Sequence, residues 1–475
     1  MKAARSLVQT LILVVSSSCL SVGPDLAAQT ATTPTVHLSP GDDLQAAVNA
    51  AGEGTTFVLR AGVYRMQSVV PKNNDIFRGE GTVILNGSQV LMFHPDPTGS
   101  SLWVANAKAS TFRHGSCLSN YPLCGYAQDL FIDDALQSPV SDLKNLKPGS
   151  WYFDRTNNTV FIPSNPGGHA VELGMRSSAF SGGADGVRLN NLTVDKYAAP
   201  AQYGAIGGKR DGTAWVVSHV EVRWNHGTGI NLGSGSQILD SFIHHNGQLG
   251  IAFGGNNCIA SNNEISWNNY SGFDPGWEAG GSKFSATTNL VVKSNYVHDN
   301  QGPGLWTDWN NAGTLYDSNT VVDNLTGIKH EISYSAIIRN NSVKDNGNIA
   351  TVWLWHAQIE VQNSSDVEIY GNTVEVPASG GNGIALINQN RGSGILGAWV
   401  AANNYVHDNT VTYLGVKGLS GLADDTKLRA AAGNRFDFNR YILRNGGTIH
   451  WSWLRSLDWR GLQAAGQEPH GKCCD

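Results

Sequence analysis

AGTLYDSNTVVDNLTGIKHEIS, residues 312–333, reads as short strands of three to five residues separated by turns that contain Asn and Gly. Its Asn319, placed just ahead of the strand TVV, is one of a series. Asn191 (LTV), His219 (VEV), Ser241 (FIH), Asn263 (EIS), Asn295 (YVH), Asn341 (SVK), Asn372 (TVE) and Asn404 (YVH) stand in the equivalent place. Successive spacings are 28, 22, 22, 32, 24, 22, 31 and 32, a base period of 22 with insertions of about ten. A second asparagine keeps step at Asn225, Asn246, Asn268, Asn300, Asn324 and Asn346. Strands this short cannot form a sandwich at such spacing, and no helix-period segment separates them. A β-propeller would need about 40–45 residues per blade. The period therefore predicts an all-β chain, a right-handed parallel β-helix (a single-stranded solenoid) whose rungs stack about 4.8 Å apart. Asparagine suits its corners twice over. It tolerates left-handed backbone, and its amide bonds to the Asn of the next rung.

The rest of the chain is organised around residues 181–420, the core of the solenoid. DLQAAVNAAGEGTTFVLRAGVYR predicts a short amphipathic helix carrying Leu44 and Val48, followed by a strand. It is expected to cap the open end within residues 29–89, since a β-stack otherwise exposes unpaired edges. Residues 90–180 break the period and are read as a small β-rich insertion with strands around LFIDDAL, SWYFD and NTVFIP. The segment 421–475, with Phe436, Phe438, Tyr441, Trp451, Trp453 and Trp459, is expected to close the other end.

Composition narrows the function. Of 475 residues 55 are glycine, about 12%, yet Gly and Pro together fall short of the roughly 25–30% of low-complexity chains. A net charge of −6 offers no electrostatic footprint for nucleic acid. Lys2 and Arg5 precede an apolar run from Leu7 to Val22, then Ala27 and Ala28, the pattern of a signal peptide over residues 1–28. A secreted protein, extracellular or periplasmic, with no membrane span and acting as a monomer, is expected. Export permits a disulfide between Cys117 and Cys124, close enough to close a short loop. Cys258 falls in a strand as a small buried hydrophobe, and Cys473 and Cys474 are adjacent with no defined pairing. The cysteine spacing argues against structural zinc.

Six stretches carry a resemblance: QAAVNAAGEGTTFVLRAGVYR, PGSWYFDRTNNTVFIP, PGWEAGGSKF, NQGPGLWTDWNN, GIKHEISYSAIIRNN and WRGLQAAGQEPHG. They resemble secreted bacterial right-handed parallel β-helix proteins of the carbohydrate-active type. The resemblance implies the fold and a polysaccharide substrate, but not the reaction, since glycoside hydrolases, polysaccharide lyases and uronate epimerases share this scaffold. The DPHD motif of mannuronan epimerases is absent, and DPGW at Asp274–Trp277 is only superficially like it.

Chemistry is sought where rungs align: GGSKF (280–284), GLWTDW (304–309) and GIKHEI (327–332). Period-2 alternation sends Leu305, Thr307 and Trp309 to one face and Trp306 and Asp308 to the other. In the next rung it sends Ile328, His330 and Ile332 inward, and Lys329 and Glu331 outward. Asp308 and Glu331 are thus expected to stack one rung apart, with Lys283 at or near the same position one rung earlier. Carboxylates about 5 Å apart repel, so one holds its proton, as acid–base cleavage of a glycoside requires. The competing reading is a charged ladder, Lys283–Asp308–Glu331, on a solvated face. Long repeats on either side bring Trp277 and Glu278 from one flank and Trp353, Trp355 and His356 from the other. With Trp306 they would form a sugar-stacking shelf.

A glycoside hydrolase is the leading expectation, with Asp308, Glu331, Lys283 and Glu278 as candidate catalytic groups. Trp306, Trp277, Trp353, Trp355, Lys329 and His356 are candidate substrate-binding groups, and no cofactor is required. A lyase would use Lys283 or Lys329 as base, with Asp308 and Glu331 on Ca²⁺; its metal ligands are otherwise undefined. A non-catalytic glycan-binding protein would use the tryptophans alone. Trp309 and His330 are assigned to the core, and His298 and His407 to turns.

Overall fold

In the computed structural model, residues 34–347, 353–425 and 432–474 are described; the expected signal peptide lies outside them. Each coil contributes three short strands, for instance Thr314–Asp317, Thr320–Val322 and Thr326–Glu331. Each strand pairs in parallel with its counterpart one coil on. Two of the three rows belong to one 24-stranded sheet, and the third forms most of an 11-stranded sheet. The register is strict: Val222, Ile243, Ile265, Val297, Val321, Val343 and Val374 lie in one column. All are fully buried. β-branched residues recur there because the column sits inside a pleated stack that only their shape fills row on row.

The two roles expected of asparagine are divided between neighbours. The residue before each corner asparagine takes the left-handed turn: Asn262, Ser294, Ser318, Asn340 and Gly371 have φ of 58°, 55°, 59°, 55° and 64°. The next residue builds the ladder. Asn319 Nδ2 donates to Asn341 Oδ1 (3.0 Å) and to Val292 O (2.9 Å). Its Oδ1 accepts from Asn295 Nδ2 (2.9 Å) and Asn295 N (3.0 Å). Removing such a side chain would strand buried partners at about 1–3 kcal/mol each. The second ladder runs Asn225, Asn246, Asn268, Asn300, Asn324 and Asn346, and ends on Gln358 Oε1 (2.8 Å).

Three members of the first series need correction. Asn191 and His219 occupy the left-handed position (φ 55° and 52°), so the equivalents of Asn263 are Leu192 and Val220. Asn372 bonds to Asn409 (2.9 Å), not to Asn404. The hexapeptide NYVHDN occurs at 295–300 and 404–409 but serves different faces. Its strand Tyr296–His298 pairs with Thr320–Val322, whereas Tyr405–His407 pairs with Glu368–Tyr370. Both copies run corner, strand, corner, and local sequence does not say which corner.

The helix Leu44–Ala50 is capped by Asp43, whose side chain accepts from Ala46 N (3.0 Å), and it buries Leu44 and Val48 in the main core. Two small sheets interrupt the coils. One comprises Ser88–Val90, Leu130–Ile132, Ala135–Leu136 and Val171–Gly174. The other comprises His94–Pro95, Trp103–Asn106, Ser138–Val140, Ser150–Asp154 and Thr159–Ile162. They share a separate core that includes Leu130, Trp151, Val160 and Leu173. Cys117 and Cys124 are bonded, as are Cys473 and Cys474, while Cys258 is free and buried. At the C-terminal end Phe436, Tyr441 and Trp451 are buried, with Trp453 and Trp459 packed against them. Phe438 instead lies outside, stacked on His470 at 4.6 Å. Among the described residues no helix is long and apolar enough to cross a membrane.

Candidate active site

The row of strands that includes Gly280–Thr288, Pro303–Asp308 and Thr326–Glu331 carries two columns of outward side chains. Ala252, Lys283, Trp306, Lys329, Glu360 and Ala385 form one. Ser285, Asp308, Glu331 and Gln362 form the other. Asp308 and Glu331 are therefore neighbours one rung apart, about 4.8 Å along the stack. Lys283 is level with Trp306 rather than Asp308, because Phe284 pairs with Thr307. It reaches diagonally across, its Nζ 2.9 Å from Asp308 Oδ2.

This outward face is not solvated, which overturns the picture of a hydrated charge ladder. Lys283, Glu331 and Glu360 are 6%, 5% and 2% exposed. Their charges interlock instead. Lys329 Nζ lies 2.8 Å from Glu331 Oε2 and 3.7 Å from Glu360 Oε1, and Arg391 Nη1 lies 2.8 Å from Glu331 Oε1. Lys283 Nζ also donates to Trp277 O (2.8 Å) and stands 3.6 Å from Glu278 Oε2. Gln362, oriented to satisfy both ends of its amide, donates to Glu331 Oε1 at 3.0 Å. Trp306 is 1% exposed and cannot serve as a sugar platform. Its ring lies between Lys283 Nζ (4.1 Å) and Lys329 Nζ (5.0 Å), and its Nε1 donates to Glu331 Oε2 (3.2 Å). Its role is to position those cations and that carboxylate.

The two carboxylates are driven in opposite directions. Burial pushes the Asp308 carboxyl up, and the negative charge of Glu331 adds to it against the pull of Lys283. Glu331 suffers the same burial, but Lys329 and Arg391 outweigh it and hold the group below its ordinary range. Burial also raises Glu360, while Lys329 is driven up because Glu331 and Glu360 outweigh its desolvation. Asp308 Oδ1 is buried and has no hydrogen-bond partner among the described residues. A pair with divergent proton affinities and one idle oxygen is the arrangement that general acid–base chemistry uses. Each carboxylate is already paired with a cation, Asp308 with Lys283 and Glu331 with Lys329 and Arg391. Among the described residues no three His, Cys, Asp or Glu are grouped to hold a metal.

The flanks are reached only in part. Glu278 accepts from Gln202 Nε2 (2.7 Å) and is 8% exposed, so it is tied into the loop. Trp277 packs on Phe273 and His114 at ring distances of 6.3 and 5.8 Å. Trp353 is 37% exposed and crosses Trp355 at 5.6 Å, while Trp355 packs on Leu354 and Ala357. His356 contributes its backbone N–H to Glu360 Oε2 (3.0 Å). His298 and His407 close their strands beside the corners, stacked on Tyr296 and Tyr405 at 4.1 and 4.0 Å. Trp309 is half exposed, not core: the strand ends at Asp308, and Trp309 and Asn310 turn left-handed at φ 66° and 61°. Alternation cannot be extended past a strand end.

Glu360, Gln362 and Arg391 were not anticipated. Glu360 lies in AQIEVQ, in the column of Lys329, and continuing the alternation one coil further would have found it. Arg391 comes from a segment outside the repeat, with no sequence signal.

Inside the coil beneath the pair, His330 is fully buried, as expected. Its Nδ1 accepts from Thr307 Oγ1 (2.7 Å) and its Nε2–H donates to Tyr334 O (2.6 Å). Burial lowers its pKa to about 4. A depressed histidine stabilises the fold fully above its unfolded value near 6.5 and loses that contribution as pH falls through 4. The loss amounts to about 3 kcal/mol. Thermal unfolding of His330→Gln should show a flatter dependence on pH between 6.5 and 4 than the parent protein; superimposable slopes would refute the assignment.

Residues 204–374 match the family model described as "Right handed beta helix region". The structure of XylC in complex with xylose superposes with a TM-score of 0.71 at 15% identity, over 93% of this chain and 86% of that one. The chain is a right-handed parallel β-helix. The A-module of the Azotobacter vinelandii mannuronan C-5 epimerase AlgE4 gives a TM-score of 0.49 at 15% identity, covering 90% and 94% of the two chains. No curated protein sequence matches. At these identities the likeness concerns the right-handed β-helix itself, and the site must be read from its own residues.

Proposed function

We propose that this right-handed β-helix is a secreted carbohydrate-active enzyme that hydrolyses glycosidic bonds of a polysaccharide, with Asp308 and Glu331 as its carboxylate pair. The observation that carries the reading is their opposed electrostatics on adjacent rungs: one group is drawn toward its protonated form, the other held ionised. Hydrolysis needs both states at once. One carboxyl protonates the departing glycosidic oxygen while the other, ionised, attacks the anomeric carbon or deprotonates water. The xylose in the XylC complex, on a superposable scaffold, supports a sugar ligand. Secretion rests on the charged and apolar pattern of residues 2–28.

The lyase reading fits less well. A lysine base must shed its proton, and Lys329 is held charged by Glu331 and Glu360. A panel of polysaccharides, assayed for reducing ends and for ultraviolet absorbance, separates the alternatives. Saturated products with new reducing ends are expected. An unsaturated product would overturn hydrolysis, as would retention on a glycan with no product at all.

A further inference from the structure

A second recess lies where the inserted sheets meet the corners of the coils. Its volume is 730 Å³, within the range of small-molecule sites. Trp151, Tyr152 and Phe153 of the insertion form part of its wall, and His226, Tyr270 and Ser271 of the coils another. The Cys117–Cys124 loop lends Tyr121 and Pro122 to the rim.

The charged groups that line this cavity are Asp129, Asp154, Arg155 and His226. His226 is 3% exposed, and both ring nitrogens face acceptors: Nδ1 lies 2.8 Å from Asp129 Oδ2, and Nε2 lies 2.7 Å from Cys124 O. Only the imidazolium donates at both positions. It therefore neutralises Asp129, which also accepts from Tyr270 OH (2.8 Å). Asp154 accepts from Thr156 N, Asn157 N and Asn157 Nδ2, which leaves Arg155 with no carboxylate at ion-pair distance among the described residues. The Arg155 guanidinium lies over Tyr126 at 4.1 Å and Phe153 at 4.8 Å, which fixes its plane. Nη1 donates to Ser110 O and Gln128 Oε1, both at 3.1 Å, and its other nitrogens have no hydrogen-bond partner among the described residues.

Aromatic walls and a guanidinium with free nitrogens and no carboxylate partner define the ligand chemistry: flat apolar faces, acceptor oxygens and a carboxylate. We propose that this cavity is a binding site for an acidic sugar, a uronate residue whose carboxylate pairs with Arg155 and whose ring lies against the aromatic wall. The segment that supplies Tyr270 and Ser271 continues to Trp277, whose carbonyl accepts from Lys283. The Cys117–Cys124 loop is pinned to it through Leu118 N to Gly272 O (3.0 Å) and Asp274 N to Ser116 O (2.9 Å). Occupancy of the cavity would hold that segment against the coils. The site does not depend on the hydrolytic reading and is tested by binding alone.

Isothermal titration calorimetry with methyl glucuronide and methyl glucoside should show the uronide binding at least tenfold more tightly. Arg155→Gln should abolish that preference. Because Arg155 also packs on two rings, Ser141→Trp, a change at an exposed wall residue, is the second variant and should block both ligands. Asp308→Asn should leave binding intact. Equal affinity for the two sugars would overturn the carboxylate assignment. Undiminished binding in both cavity variants, or no binding to the parent protein, would overturn the site.

Discussion

Asp308→Asn is expected to lower glycan turnover roughly a thousandfold while the protein stays folded. The substitution keeps the size of the side chain but removes the ionisable carboxyl whose proton affinity burial and Glu331 raise. Lys283 loses its 2.9 Å partner yet keeps Trp277 O at 2.8 Å and Glu278 at 3.6 Å, so the buried ammonium is not stranded. Circular dichroism and the unfolding midpoint should stay close to those of the parent. Azide can rescue either variant of a retaining enzyme, but the glycosyl azide is inverted where the nucleophile is missing and retained where the acid–base group is, so its configuration in the two variants assigns the roles. Full activity in Asp308→Asn would remove this residue from the mechanism.

Glu331→Gln should be at least as damaging to turnover, and it carries a second signature. Glu331 accepts from Trp306 Nε1 and pairs with Lys329 and Arg391, so the change leaves two cations with less compensation in a buried site. Some stability is expected to go with the activity. The effect on pH separates chemistry from mere loosening. The negative charge of Glu331 is one of the causes that raise Asp308, so removing it lets the Asp308 pKa fall. The limb of the residual pH–rate profile governed by Asp308 should then move to lower pH. A structural lesion would scale the profile down without moving that limb, and an unshifted limb would contradict the coupling.

Much of the fold was legible because a β-helix is nearly one-dimensional. Each coil contacts chiefly the next, so asparagine ladders and buried valine columns repeat at a period visible in the chain. Legibility stopped where a local signal had two valid placements. NYVHDN reads identically at 295–300 and 404–409 yet occupies different faces, and which face is set by the strands it meets. The parity that aligned Asp308 with Glu331 held because both lie within continuous strands. It failed at Trp309, one residue past the end.

Local sequence alone determined the coil period, the inward columns and the adjacency of Asp308 with Glu331, since these depend on alternation and spacing within a few residues. It did not determine the state of those carboxylates. Whether a charge on the outer face is hydrated or buried depends on what covers it, and here the partners come from separate parts of the chain: Arg391 sixty residues beyond Glu331, and the carbonyl of Trp277 at the start of the preceding coil. Desolvation and Coulomb interaction act through space and do not follow chain distance. The electrostatics of the pair, like the free guanidinium nitrogens of Arg155 in its cavity, therefore emerge only when the chain is folded.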